Sequence, residues 1–141
     1  MAKKKTRTTI DTSTLQKGTV TRNTGSAYTV RLDTGGDTAC RVKGNLRIRG
    51  IRTTNPVAVG DRVTVAKAAD DADYITAVLP RRNYIIRRAS NLSKESHILA
   101  ANIDQAVLVA TLREPETTTT FIDRFLATAE AYAIPASLVL N

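Results

Sequence analysis

AYTVRLDTGGDTACRVKG, residues 27–44, decides how the first half of this chain folds. Tyr28, Val30 and Leu32 share one parity while Thr29 and Arg31 take the other; beyond residues 34–37, Cys40 and Val42 alternate with Arg41 and Lys43 in the same way. An apolar period of two marks a strand with one face inward, and Thr, Gly and Asp between two such runs reverse the chain. The stretch therefore reads as two antiparallel strands. Downstream, NLRIRG (45–50) repeats the arrangement, with Leu46 and Ile48 inward and Arg47 and Arg49 outward. QKGTVTRN (16–23), DRVTVAK (61–67) and DYITAVLP (73–80) complete a set of about five short strands. With no room for a second sheet, they predict a small closed barrel of the OB-fold type, whose exposed face and loops commonly bind oligonucleotides.

Charge points the same way. The 141 residues carry a net charge of +8, unevenly: residues 1–94 hold 19 Lys and Arg against 7 Asp and Glu, whereas residues 95–141 hold 2 against 6. A basic module most often meets nucleic acid or an anionic membrane, and no amphipathic basic helix favours the membrane. No apolar run approaches the roughly twenty residues that span a bilayer, and the Lys-rich start leads into no secretory signal, so a cytoplasmic protein is expected. One cysteine excludes an internal disulfide or a multi-cysteine metal site within these residues. Cys40 reads as an inward strand residue rather than a nucleophile, and His97, the single histidine, has no companions for a metal.

The candidate RNA contacts are the outward cations Arg31, Arg41, Lys43, Arg47 and Arg49, whose alternative is plain surface solvation. Thr24, Gly25 and Ser26 in the loop after the first strand read either as a ligand contact or as an ordinary turn. Tyr28 and Tyr74 fall at positions expected to face inward, which favours phosphate and shape recognition over base stacking. Arg81, Arg82, Arg87 and Arg88 suit either a second RNA contact or a brace between modules.

The remainder changes character. Residues 1–14 read as a basic disordered arm, 15–80 as the barrel, 81–97 as a basic linker and 98–141 as the opening of an α/β domain. IDQAVLVATL has the continuous apolar run of a buried parallel strand, and SLVLN that of a second. Between them Phe121, Ile122, Phe125, Leu126, Ala129 and Tyr132 repeat at helical spacing, behind a capping box from Thr120 to Asp123 and ahead of Pro135. Asp104 and Asp123 read as caps. Strand, helix, strand is a βαβ unit, and ligands of open α/β sheets bind beyond the carboxyl ends of the strands, where Asn141 stands.

Five stretches in order, CRVKGNLR (40–47), PVAVGDRV (56–63), ITAVLPRRN (75–83), AANIDQAVLVATLREP (100–115) and FIDRFLATAEAYAIPASLVLN (121–141), resemble the ribosome small-subunit-dependent GTPase family. These are circularly permuted bacterial GTPases that help mature the small ribosomal subunit. The resemblance implies an OB-fold ahead of a GTPase domain in which the guanine-specificity motif Asn-Lys-x-Asp precedes the phosphate loop. Asn141 looks like the first residue of that motif and would hold the guanine base. The resemblance further implies GTP and magnesium, one structural zinc, the small subunit and its rRNA as partners, and a monomer. No G-x-x-x-x-G-K-[ST] occurs in these 141 residues, so the chain is expected to be a fragment that is inactive alone. The alternative is a non-enzymatic OB-fold RNA-binding protein. Replacing Arg47 and Arg49 together by Ala is expected to weaken binding to small subunits and flatten its salt dependence; unchanged affinity across a salt titration moves the interface elsewhere.

Overall fold

The computed structural model describes residues 14–42, 46, 56–68, 73–88 and 96–141. Residues 1–13 of the expected arm, and Lys43, Arg47 and Arg49, lie outside the described residues.

Strands β1 (Gln16–Asn23), β2 (Tyr28–Leu32), β3 (Asp37–Val42), β4 (Arg62–Lys67) and β5 (Asp73–Val78) form a closed barrel in the order β1-β2-β3-β5-β4. The pairs are antiparallel except β3 with β5, and β1 closes the circle by pairing β4 from Gln16↔Val65 to Thr19↔Arg62. Closure leaves the five strands no open edge. It also brings β1 and β2 unusually close: a Cβ on Gly18 would lie 2.5 Å from the Arg31 carbonyl oxygen, so only glycine fits there.

Alternation builds the core as the sequence predicts. Val20, Tyr28, Val30, Cys40, Val57, Val63, Val65 and Ile75 are buried together, with Leu32, Val42, Leu46 and Val78 packed against them. One detail differs. In β5 the buried residue is Ile75, and Tyr74, of opposite parity, is half-buried rather than part of the core. NLRIRG, apart from Leu46, lies outside the described residues.

Residues 84–88 of the expected linker form a strand. Residues 84–88 and 96–101 form an antiparallel pair, β6 (Tyr84–Arg88) and β7 (Ser96–Ala101), with a register shift between Ile85 and Ile86. The shift leaves Leu99 of β7 without a partner, and the two adjacent isoleucines give β6 no period-two signal.

Next, β8 (Ala106–Ala110) pairs in parallel with β9 (Ala136–Leu140), from Ala106↔Ala136 to Ala110↔Leu140, across helix α1 (Thr119–Ala131). The cap is Thr118, not Thr120: its hydroxyl accepts from the Phe121 amide at 3.3 Å. Asp104 and Asp123 cap nothing; Asp123 lies inside α1, and Asp104 pairs with Arg82. Ala129 is buried and Ile122, Phe125 and Tyr132 are half-buried, whereas Phe121 and Leu126 are exposed. The strands are not buried on both faces: Val107, Val109, Leu138, Val139 and Leu140 are exposed.

Ile75→Ala is expected to lower the unfolding free energy by about 2–5 kcal/mol, through lost transfer energy and the cavity left in a closed barrel. Denaturant unfolding measures this, and a loss below about 1 kcal/mol would show that the barrel collapses around the gap.

Candidate functional site

Cations on the barrel fall into two groups. At the end where β2 turns into β3, they are matched. Arg31 donates from Nε and Nη2 to the two Asp37 carboxylate oxygens at 2.9 and 3.2 Å. Arg62 grips Asp33 at 2.7 and 2.5 Å and donates to the Thr19 hydroxyl at 2.9 Å. Hydrogen bonds from these guanidinium groups hold the Asp33 and Asp37 carboxyls below the usual carboxylate range. Both pairs are exposed, so they add little to stability, but each supplies a local anion that competes with phosphate for its arginine.

Toward the opposite end, Arg22 and Arg41 are exposed and make no ion pair with a described residue. Arg22 escapes an alternation reading because β1 carries an irregularity between Val20 and Arg22. Beside it runs the β1–β2 loop. Asn23 accepts from the Gly25 amide at 2.7 Å through its side-chain oxygen, and its amide donates to the Val57 carbonyl at 3.2 Å. Thr24 donates from both backbone and hydroxyl to the Ala27 carbonyl. Gly25, at φ 87°, completes a tight turn that leaves Thr24, Gly25 and Ser26 exposed.

Of the expected second patch, Arg81 and Arg82 differ in their surroundings, and the side chains of Arg87 and Arg88 lie outside the described ones. Arg81 is not a surface cation: its side chain is 7% exposed and forms a double hydrogen bond with Asp61, at 2.6 and 2.7 Å, while also donating to the Pro56 carbonyl at 3.0 Å. Arg82 is exposed, and its guanidinium reaches Asp104 at 2.6 Å and the Ile103 carbonyl at 3.1 Å. Both are braces within the fold.

At the other site, Asn141 follows β9 at the carboxyl edge of the β8–β9 sheet. Its amide donates to the Ala110 carbonyl at 2.9 Å, and its carbonyl accepts from the Leu112 amide at 3.2 Å. The loop leaving β8 is closed in turn by Thr117, whose hydroxyl accepts from the Thr111 amide at 3.0 Å. Residue 141 is therefore exposed, with its backbone position set by the neighbouring strand and loop. Among the described residues no group of three or more His, Cys, Asp or Glu side chains gathers to hold a metal.

Two family profiles match in tandem: residues 17–75 the RsgA N-terminal domain, and residues 78–141 the RsgA GTPase. The chain belongs to the RsgA family. Among RsgA relatives, the small ribosomal subunit biogenesis GTPase of Porphyromonas gingivalis is 64% identical over 126 residues, which are 88% of this chain and 40% of that protein. The Bacteroides fragilis RsgA is 58% identical over 125 residues, again covering 40% of the relative. The crystal structure of YjeQ from Thermotoga maritima superposes with a TM-score of 0.63 at 31% identity, covering 91% of this chain and 41% of that one. YloQ, a circularly permuted GTPase, gives 0.63 at 27%. The chain spans about 40% of the length of the RsgA relatives it matches, their amino-terminal portion.

Cys40 lies inside the barrel, and burial, with a smaller contribution from Asp73, pushes its thiol up to about 12. The unfolded chain releases this proton near the ordinary value of 9.0, so the buried thiol's stabilising contribution is complete below that pH and is lost as pH rises toward 12. Cys40→Ala is expected to flatten the decline in stability above pH 9, as measured by denaturant midpoints at stepped pH; an unchanged decline would assign it to other groups.

Proposed function

We propose that the whole protein is a small ribosomal subunit biogenesis GTPase that binds rRNA through its barrel and hydrolyses GTP in a subunit-stimulated way. The observation that carries the reading is the tandem order on one chain: a closed five-stranded barrel, then a parallel β-α-β unit matching the RsgA GTPase. In this reading Arg22 and Arg41, with Lys43, Arg47 and Arg49 from the segment after β3, neutralise rRNA phosphates, and Thr24, Gly25 and Ser26 approach the same RNA. Arg31, matched by Asp37, contributes less, and Arg81 contributes nothing directly.

Asn141 faces the base of GTP from the carboxyl edge of the sheet and contributes to guanine selectivity. These residues supply only that contact. The phosphates and magnesium require a loop of backbone N–H groups, a Lys and a Ser or Thr that the 141 residues do not contain, so this chain alone neither binds nor hydrolyses GTP. Working in the cytoplasm as a monomer, the protein uses the barrel to read the subunit while the nucleotide state sets when it leaves.

GTP hydrolysis by the product of the complete reading frame, with and without purified small ribosomal subunits, tests the reading. Strong stimulation is expected; no hydrolysis under either condition leaves a non-enzymatic RNA-binding protein. Within that system, replacing Arg22 and Arg41 together by Ala is expected to reduce the slope of log affinity against log salt by about 1–2, whereas Arg31→Ala changes it far less. Equal effects would show that the Asp37 pair does not shield Arg31.

A further inference from the structure

One polar cluster serves neither the RNA face nor the nucleotide edge. It lies where the barrel, the β6–β7 hairpin and the β-α-β unit meet. Residues 57–61 precede β4 and are bound to the barrel from one side: the Gly60 amide donates to the Val20 carbonyl at 2.8 Å, and the Val20 amide to the Asp61 carbonyl at 2.9 Å. From the other side they are bound to the hairpin. The Ala101 amide donates to the Val59 carbonyl at 2.9 Å, and the Asn102 side-chain amide to the Gly60 carbonyl at 2.9 Å. Fit is tight enough that a Cβ on Gly60, itself at φ +88°, would stand 2.0 Å from the Ala101 carbonyl oxygen.

The hairpin is fastened onward to the next unit. Asn83, 6% exposed, accepts from the Ile103 amide at 2.7 Å and donates to the Ile103 carbonyl at 2.9 Å, clasping the segment that enters β8. Arg82 holds the same segment through Asp104. The ring of Tyr84 in β6 packs on Tyr132, the C-cap of α1, with centroids 5.2 Å apart. An unbroken path of short contacts therefore runs from β1 through residues 57–61 and the hairpin to β8 and α1. A module joined by a floppy tether would need none of these bonds.

We propose that this junction makes the barrel and the start of the nucleotide module one stiff body, and that Asn102 is a positioning residue whose bond to Gly60 sets the angle at which a subunit-bound barrel presents the GTPase. The inference rests on the function proposed above. Its physical content is preorganisation: contacts made by the second module are gained only if the first module, once bound, delivers it in register. Asn102 touches neither the RNA face nor the Asn141 edge, so loosening it leaves the free enzyme's chemistry alone.

Asn102→Gly tests this, because glycine keeps the positive φ of 54° while deleting the side-chain bonds to Gly60 and Arg82. In the whole protein, basal GTP hydrolysis is expected to stay within about twofold, while the subunit-stimulated rate falls about tenfold and the half-saturating subunit concentration rises. Hydrogen exchange at Gly60 and Ala101 quickens in the same variant. Gly60→Ala, which wedges the two sides apart, is expected to give the same division of rates. Equal stimulation in unaltered and variant protein overturns the inference and leaves the functional reading standing; so does a parallel loss of basal and stimulated rates, which marks a purely structural role. Absence of hydrolysis by the unaltered protein sinks both.

Discussion

The fold depends on an ion pair placed where water does not reach. The Asp61 carboxylate is fully buried, accepts from the Ala58 amide at 2.8 Å, and receives both Nε and Nη2 of Arg81. Two charges taken out of water are tolerated only when paired this closely, although Arg81 Nη1 is buried without a hydrogen-bond partner; removing either would leave an uncompensated ion at a cost of about 3–5 kcal/mol. The pair spans 20 residues, joining the entrance to β4 with the exit from β5. It anchors residues 57–61 in the shape that receives the hairpin, so barrel closure and module attachment share one electrostatic support.

The same chemistry sorts the basic residues. A raw surplus of Lys and Arg suggests an evenly cationic barrel, yet the side chains assume three roles. Arg81 is internal, Arg31 and Arg62 are matched by acids on neighbouring strands or turns, and Arg22 and Arg41 are left facing solvent. Only the last kind offers undivided charge to a polyanion. Sequence proximity cannot make that division, because Asp33 and Arg62 are 29 positions apart and meet only when β1 and β4 close the barrel.

Local periodicity was legible wherever a strand kept it. Tyr28, Val30, Cys40, Val63 and Val65 are buried as their alternation demands, and the apolar runs of 106–110 and 136–140 pair in parallel. Irregularity hid the rest. Adjacent Ile85 and Ile86, with no period of two, disguised β6 as linker, and four consecutive threonines concealed which one caps α1. In DYITAV two apolar side chains sit on opposite parities, and packing chose Ile75 over Tyr74. Of the candidate site, the loop turn and Asn141's place at a sheet edge followed from pattern, while the brace roles of Arg81 and Arg82 required contacts between distant segments.

The two-stranded sheet of β8 and β9 has a consequence of its own. Among the described residues it has two outer borders without a neighbouring strand, and both faces carry exposed valine and leucine. Backbone groups along such borders are templates for strand addition, and apolar side chains beside them reward whichever segment arrives. The barrel, whose circle is closed, offers no comparable template. Strand addition to these 141 residues would therefore fall on the open two-stranded sheets rather than on the barrel, leaving the basic barrel displayed around a sheet grown by lateral pairing.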